Sequence, residues 1–304
     1  MLYKQISQNK RNTVIIMVLF GILMLAISAL FANFLTIWAG VIFFMIAIGY
    51  VLYTYFDATE HLMKVTGGVQ LDKESAPEIY EMVEELCLAA GMPMPKLYVV
   101  PDSDPNAFAT GRNPEHASLA LTQGLLEIMN KQEVQGVIGH ELSHIRNYDT
   151  RVTVIASAIV NLIYGTGMGL AILAYGMITS KSKGIIALII KLFCCLLGFI
   201  GLIIIVFGIP ISKLLFLLVS RQREYLADVG SVDLTREPSG IISALQKLED
   251  LENQDLLQSP DKNNLMLNSL SFNLPHVHSW WLRLMSDHPP LDKRIERLKN
   301  SDKV

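Results

Sequence analysis

Charged side chains are absent from two long stretches of this 304-residue sequence and nearly absent from a third. Residues 13–56 and 152–180 contain no Lys, Arg, Asp or Glu, and residues 184–220 contain only Lys191 and Lys213. Uncharged apolar runs of roughly 18 or more residues are long enough to cross a bilayer. Charged residues make up 26% of the remaining 194 residues, close to the ~25% of a soluble domain. The sequence therefore excludes a disordered chain and a purely soluble enzyme, and it predicts a membrane protein that carries a soluble domain.

Cysteine is also scarce. The three cysteines, Cys87, Cys194 and Cys195, are too few for the disulfide framework of a small secreted protein. Cys194 and Cys195 lie within an apolar stretch, which favours small buried residues over lipid-modified or redox-active ones. The net charge of −3 gives no support to nucleic-acid binding. We therefore expect neither a disulfide scaffold nor a nucleic-acid partner.

The apolar stretches divide into two pairs of predicted transmembrane helices. A break at Phe31-Ala-Asn-Phe34 splits the first stretch into spans near 14–32 and 35–56, and the second pair lies within 152–220. A cleaved signal peptide is the alternative for the first stretch, but its apolar core of ~7–15 residues would be much shorter. Lys191 allows three interpretations: a side chain that reaches the membrane interface, a cavity-lining residue, or a residue of an interfacial turn.

Basic residues flank the predicted spans mostly on one side. Those on the common side are Lys4, Lys10, Arg11, Lys64, Arg146, Arg151, Arg221 and Arg223, whereas Lys181 and Lys183 lie in the loop on the other side. Because cytoplasmic loops of membrane proteins are enriched in Lys and Arg, this excess predicts that the N-terminus and the soluble parts face the cytoplasm. The expected location is the cell membrane, as a multi-pass protein in contact with the lipid bilayer.

The chain thus divides into four predicted segments. They are an N-terminal transmembrane hairpin (1–56), a first soluble part (57–151), a second transmembrane helix pair (152–220) and a second soluble part (221–304). The first soluble part contains an amphipathic helix that begins with a capping box, Ser75-Ala-Pro-Glu78, and stops at Gly91. It also contains three short runs typical of strands, at 96–100, 106–110 and 117–122. The second soluble part is expected to form helices at 221–236 and 241–252, a polar connection at about 253–279, and a short helix after Pro290.

The motif His140-Glu141-Leu142-Ser143-His144 is the strongest sign of chemistry in the sequence. It lies in a predicted amphipathic helix that opens with Asn130-Lys-Gln-Glu133. Residues i and i+4 share one helix face, so both imidazoles can bind a single Zn²⁺ while Glu141 reaches a water at the metal. Zinc would polarise the scissile carbonyl, and Glu141 would act as general base and then as general acid. The motif predicts a zinc peptidase with one metal ion per chain; two unrelated surface or core histidines are the alternative.

A catalytic zinc ion needs a third protein ligand and an open fourth position. Glu224 is the candidate ligand, and Asp228 lies one turn further along the same predicted helix, where it can accept the N–H of a ligand imidazole. A juxtamembrane helix with solvated charges is the alternative, which the two histidines disfavour. Since residues 140 and 224 must meet, an even number of spans has to separate them.

Together these features resemble the M48 family of integral-membrane zinc metallopeptidases, and most of all its HtpX-like branch, which is linked to heat shock and envelope quality control. The resemblance covers nearly the whole chain. It rests on the N-terminal hairpin, Asn106-Ala-Phe-Ala-Thr-Gly111, the His-Glu-x-x-His helix, the span pair, Glu224-x-x-x-Asp228 and His288-Pro289. It implies an α-helical integral membrane protein with about four transmembrane helices and a mainly α, α+β gluzincin-like protease domain.

The resemblance also implies roles for single residues around the metal. In these roles the zinc ligands are His140, His144 and Glu224, the general base and acid is Glu141, and the residue behind the ligands is Asp228. Asp149, just after the zinc helix, also recurs in the resemblance and is interpreted as a helix-end or loop-positioning residue.

Two further elements are implied for substrate binding and catalysis. Asn106, Ala107 and Phe108 would belong to an edge strand that pairs with the substrate backbone, and such pairing is a general mode of peptide recognition; an ordinary sheet strand is the alternative. His288 and Arg294 would be catalytic residues that stabilise the oxyanion, although a loop histidine is the plain interpretation of His288.

We therefore expect a membrane-embedded zinc endopeptidase, a hydrolase whose polypeptide substrates are misfolded or damaged membrane proteins. A prenyl-protein (CAAX-type) protease is one alternative, but that branch of the family is typically longer and has more spans. A non-enzymatic membrane scaffold that keeps a zinc fold is another. A channel or transporter would need ionisable residues inside the spans, where only Lys191 clearly lies.

Overall fold

Helices make up most of the structure, a computed structural model that describes residues 2–34, 36–217, 221–253 and 290–301. In chain order the described elements are α1 (Leu2–Phe34), α2 (Ile37–Val65), β1 (Val69–Leu71), α3 (Pro77–Ala90), β2 (Lys96–Val100), β3 (Ala107–Gly111), β4 (Ala117–Thr122), α4 (Gln123–Ile128), α5 (Lys131–Arg146), α6 (Asp149–Thr179), α7 (Ile185–Leu217), α8 (Arg221–Thr235), α9 (Pro238–Asn253) and α10 (Leu291–Ser301).

Four of the described helices are long and apolar enough to cross a membrane. The apolar segments are Val14–Asn33, Ile37–Asp57, Asp149–Thr179 and Ile185–Val206. In the fold α1 packs against α2, and α6 packs against α7. Their outward faces expose large apolar side chains such as Trp38 and Ile185, and an apolar surface of this extent needs lipid or protein to cover it. The structure thus contains the four apolar helices that the sequence predicts, and their complete passage through a bilayer stays a prediction.

Lys191 reaches out of α7 toward the connection that precedes it. Its Nζ donates a hydrogen bond to the main-chain carbonyl of Ser180, just after the end of α6, at 2.6 Å. Carbonyl groups at a helix C-terminus lack intrahelical partners and interact favourably with cations. Of the three interpretations of Lys191, this contact favours a side chain that reaches the interface.

The sheet lies between α5 and the ends of two apolar helices. Its strand order is β1-β2-β4-β3, with β2 parallel to β4 and with β1 and β3 antiparallel to their neighbours. Alternate side chains of a strand point to opposite faces. One face joins a core that includes Ile138 of α5, and the other places Phe108 against Leu62 of α2 and Val154 of α6. The sheet and α5 are therefore built directly onto the ends of the apolar helices α2 and α6.

Three local predictions differ from the structure. Ser75 forms no capping box with Glu78. Its hydroxyl accepts from the N–H of Asp72, and the carboxylate of Asp72 accepts from the N–H of Ser75. Helix α3 therefore begins without a side-chain cap. Helix α9 begins at Pro238 rather than at residue 241, because proline suits the first helical turn, where its missing N–H needs no partner. Strand β1 is absent from the sequence prediction, since three residues are too few to show a period. The predicted polar connection at 253–279 lies outside the described residues, apart from its first residue.

Candidate metal centre

A capping box fixes the start of α5, as the sequence predicts. The side chain of Asn130 accepts from the N–H of Glu133, and the carboxylate of Glu133 accepts from the N–H of Asn130. Glu133 is also held by Ser243 and Lys247 of α9, each at 2.6 Å. Burial would raise the pKa of Glu133, but these hydrogen bonds keep the pKa below its ordinary value. An ionised Glu133 therefore ties the beginning of α5 to α9.

Small residues allow α8 to lie close against α5. The hydroxyl of Ser231 donates to the carbonyl of Gly136 at 2.6 Å, so the two helices touch through the main chain of α5. A Cβ atom at Gly230 would collide with the side chain of Ser143. Glu224 lies two helical turns before Ser231. The close approach thus carries Glu224 to the face of α5 that bears the two histidines.

The ligand atoms of two histidines and one glutamate converge at this contact. The Nε2 atoms of His140 and His144 lie 3.1 Å apart, and the two imidazole rings are nearly perpendicular, at 83°. One carboxylate oxygen of Glu224 lies 3.6 Å from Nε2 of His140, and the other lies 3.6 Å from Nε2 of His144. Over the part of the chain that the structure describes, this is the one group of three such residues whose ligand atoms all lie within 4.8 Å of one another.

These separations fit a zinc ion. Zn–N bonds of about 2.0–2.1 Å in a tetrahedral site place two nitrogen ligands about 3.3 Å apart, close to the 3.1 and 3.6 Å found between the ligand atoms here. Two imidazoles and one carboxylate also form a donor set of catalytic zinc sites, which keep a fourth position for water or substrate. The residues present can therefore hold the predicted metal, and the choice of zinc as that metal stays a prediction.

Behind His140 lies a buried carboxylate that is itself held by an arginine. Nδ1 of His140 lies 2.9 Å from Oδ1 of Asp228, as the sequence predicts for a residue that orients a ligand. Arg294 of α10 donates to both oxygens of Asp228, from Nε at 2.9 Å and from Nη2 at 2.6 Å. All three side chains are buried, and Arg294 has no exposed surface. The structure thus shows a chain of contacts from Arg294 through Asp228 to His140.

The electrostatics of this chain favour one form of the imidazole. Burial would raise the pKa of Asp228, but the guanidinium of Arg294 holds it at about 2. Burial would lower the pKa of His140, but hydrogen bonds with Asp228 and Glu224 raise it above its ordinary value. An ionised Asp228 can accept only, so in the neutral imidazole that a metal requires it favours the proton on Nδ1 and leaves the lone pair on Nε2, which faces the other ligand atoms.

A second carboxylate, Asp149, stands behind His144. Its Oδ2 lies 2.9 Å from Nδ1 of His144, and its Oδ1 accepts from Nη1 of Arg223 at 3.3 Å. The sequence interpretation of Asp149 is a helix-end or loop-positioning residue, and in the structure Asp149 is the first residue of α6. Tyr148, in the left-handed conformation with φ 61°, turns the chain between α5 and α6. Sequence reasoning does not predict the contact of Asp149 with His144 or the role of Arg223. The signal that could have indicated this contact is an acidic residue soon after the helix that carries both histidines.

Glu141 follows the ligand His140 directly on α5. Its side chain is buried. Although burial lowers the pKa of Arg294, the charges of Asp228, Glu224 and Glu141 together raise it. Arg294 is predicted to stabilise the oxyanion, but its contacts with Asp228 favour a role in positioning. The oxyanion role of Arg294 stays a prediction that these contacts do not favour. His288, the other residue predicted to stabilise the oxyanion, lies outside the described residues.

The predicted substrate strand lies at an edge of the described sheet. Ala107 and Phe108 begin β3, which pairs with β4 alone among the described strands. Asn106 precedes the strand, and its N–H donates to Oγ1 of Thr122 at 2.8 Å. Both Ala107 and Phe108 are buried in the core, so any contact with a substrate would have to use the main chain. Substrate binding by these three residues stays a prediction.

Comparison with known proteins identifies relatives along the whole chain. The profile of Peptidase family M48 matches residues 73–302. A Protease HtpX homolog from Streptococcus pyogenes serotype M28 (strain MGAS6180) is 37% identical over 308 aligned positions, covering 99% of this chain and 100% of the relative. A Protease HtpX homolog from Streptococcus pyogenes serotype M5 (strain Manfredo) shows the same identity and coverage.

The fold is also similar to that of a solved structure. The crystal structure of S. mikatae Ste24p superposes with a TM-score of 0.51 and 17% sequence identity. The match covers 97% of this chain and 66% of that chain. At this level of identity the likeness concerns the fold alone, including helices of the membrane pairs as well as the peptidase part.

Proposed function

Because the chain belongs to peptidase family M48, we propose that it is a membrane-embedded, zinc-dependent endopeptidase. One observation carries the proposal: the ligand atoms of His140, His144 and Glu224 converge, and Glu141, the residue next to His140 in the chain, is buried. Two nitrogen ligands, one oxygen ligand and a neighbouring carboxylate are the groups that hydrolysis of a peptide bond at a metal requires. The relatives named Protease HtpX homolog, aligned along their full length, support proteolysis as the activity.

The chain's own residues divide the work of hydrolysis in this proposal. When bound, zinc supplies a Lewis acid and lowers the pKa of water. Glu141 takes the proton of the attacking water and then passes it to the leaving amine, so that it serves first as base and then as acid. Asp228 holds the imidazole of His140 in the orientation that ligation needs.

The proposed substrates are misfolded or damaged membrane proteins. Three features support this proposal: the apolar helices next to the site, the edge position of β3, and the resemblance to a branch linked to envelope quality control. An edge strand pairs with a peptide through main-chain hydrogen bonds, which suits a protease that must accept many sequences. The site is proposed to face the cytoplasm, in line with the basic residues that flank the spans.

The substitution Glu141→Gln tests the proposal in the purified full-length protein. We expect it to abolish cleavage of an unfolded, unprenylated membrane protein while leaving zinc content unchanged, because Glu141 activates water and does not bind the metal. Cleavage by the wild-type protein should stop with a chelator and return with added zinc. Glu85→Gln is the matched control, since Glu85 is exposed on α3.

Substantial cleavage by the Glu141→Gln variant would overturn the proposal. Loss of zinc together with activity would instead indicate a structural role for Glu141. Cleavage of prenylated substrates alone would favour the CAAX-type alternative. A wild-type protein that binds zinc but cleaves nothing would favour the scaffold.

A further inference from the structure

Each of the two histidines at the candidate metal centre is backed by a carboxylate and an arginine, but the two sets come from different parts of the fold. His140 is backed by Asp228 and Arg294, from α8 and α10. His144 is backed by Asp149 and Arg223. Asp149 is the first residue of α6, and Arg223 lies in the first turn of α8, which follows α7. The second set therefore lies where both helices of the second apolar pair meet the protease domain.

We propose that Asp149 and Arg223 form a positioning pair that orients His144 and joins the metal site to the beginning of α6 and to the first turn of α8, which follows α7. The proposal rests on the proposed metal function of His140, His144 and Glu224 and extends it. Neither Asp149 nor Arg223 touches the metal or the substrate in this scheme. Both act through His144.

The contacts of Asp149 match this role. One of its oxygens lies 2.9 Å from Nδ1 of His144, and the other accepts from Arg223 at 3.3 Å. A carboxylate that accepts the Nδ1–H of a ligand imidazole fixes its tautomer and ring orientation and increases its basicity. His144 then presents the lone pair of Nε2 to the site that Nε2 of His140 and the carboxylate of Glu224 also face.

The burial of the pair explains why the arginine is needed. Asp149 is 3% exposed and Arg223 is 7% exposed. A buried carboxylate is costly unless an opposite charge and hydrogen bonds compensate it. Arg223 supplies that charge and donates to Asp149 at 3.3 Å. A basic residue that served only to flank the membrane would instead extend its guanidinium into water or toward lipid headgroups.

The position of the pair along the chain links the ligands to the membrane helices. Arg223 is the immediate neighbour of the ligand Glu224, and Asp149 follows the helix that bears His144 by one short turn. A contact between Asp149 and Arg223 therefore joins the chain just after the ligand His144 to the chain just before the ligand Glu224. Its loss should loosen the geometry of His144 and Glu224 relative to each other, while the set behind His140 stays in place.

A comparison of single and double variants tests the proposal in full-length protein in detergent. We expect Asp149→Asn to weaken zinc affinity by about 10–100-fold, the usual cost of losing a partner of a ligand, and Arg223→Gln to weaken it in the same direction. The double variant should bind zinc no more weakly than Asp149→Asn alone, because Arg223 acts through Asp149. Arg223→Lys, which keeps the charge, should restore part of the affinity.

The readouts are the zinc dissociation constant from chelator competition and the visible absorption of the Co²⁺-substituted protein, which reports ligand geometry. Both single variants should change the Co²⁺ spectrum. Arg146→Gln is the matched control: Arg146 of α5 contacts Asp233 of α8 at 3.6 Å, an ion pair that also ends on α8, but Asp233 is half-exposed. This control should leave zinc affinity and the Co²⁺ spectrum unchanged.

Three outcomes would overturn the positioning role. One is lower thermal stability of the single variants with unchanged zinc affinity and Co²⁺ spectrum, which would make the pair purely structural. Another is additive losses in the double variant, which would show that Arg223 acts apart from Asp149. The third is an equal loss of affinity in Arg146→Gln. A wild-type protein that binds zinc but cleaves nothing would overturn the proposed peptidase function and leave this role intact.

Discussion

Replacing Arg294 with methionine should destabilise the protease domain and weaken its metal site together. Arg294 is fully buried, and it donates to both oxygens of Asp228, at 2.9 and 2.6 Å. Methionine roughly fills the space of the arginine stem but has no charge. Asp228 would then be left as a buried carboxylate without the guanidinium that holds its pKa at about 2. Removal of one member of a buried ion pair costs about 3–5 kcal/mol.

That cost should be visible in thermal unfolding. In domains of 150–250 residues, 1 kcal/mol moves the unfolding midpoint by roughly 2–4 °C. The expected fall is therefore about 6–20 °C. A looser Asp228 should also lower zinc affinity by about 10–100-fold, because Asp228 orients His140.

Both quantities can be measured on the full-length protein in detergent, by circular dichroism on heating and by chelator competition. Arg297→Met is a matched control on the same helix. Arg297 is exposed, and its Cζ lies 4.0 Å from the ring centroid of Tyr225. Loss of this contact should lower the free energy of unfolding by at most about 1 kcal/mol and leave zinc affinity unchanged. The reasoning is refuted if Arg294→Met keeps the wild-type midpoint and zinc affinity but loses turnover. Arg294 would then act on the transition state, as the sequence resemblance implies.

Two further predictions concern the ligand set and the topology. Glu224→Ala should reduce zinc occupancy severely, since it removes one of three ligands, and metal analysis that finds normal occupancy would require a different third ligand. The topology test first replaces Cys195, the exposed native cysteine among those described. Single cysteines are then placed at the exposed positions Gln70 and Asn300, and both should react with a membrane-impermeant maleimide from the same side of the membrane. Labelling from opposite sides would make a site shared by the two soluble parts impossible.

Local patterns in the sequence are enough to predict the parts of the fold that depend on a single segment. The apolar helices follow from the absence of charge over a bilayer's length. Strands β2 and β4 lie at the predicted residues, since alternation and turn residues mark short strands well. The capping box of α5 and the i,i+4 spacing of His140 and His144 are also local, so the sequence alone assigns the two histidines to one helix face.

Contacts between distant segments are predictable only where a family resemblance supplies them. The placement of Glu224 and Asp228 beside the histidines rests on that resemblance together with their spacing, whereas no pattern indicates the pairing of Arg294 with Asp228, 66 positions apart. The burial of Phe108 between the sheet and two apolar helices is not predictable either. Periodicity shows which side of an element is apolar, but it does not show which other element covers that side.

The partner of His144 illustrates what only the tertiary structure decided. Asp149 lies five residues after His144, beyond the helix end, where helical periodicity no longer says where a side chain points. The left-handed turn at Tyr148 sets its direction, and Arg223 reaches it only because α6 and α7 form a hairpin that returns the chain to α5. The chemistry of the ligands could be read from residue types and spacing, whereas the charges behind them depend on the path of the backbone through two long helices, which no local pattern specifies.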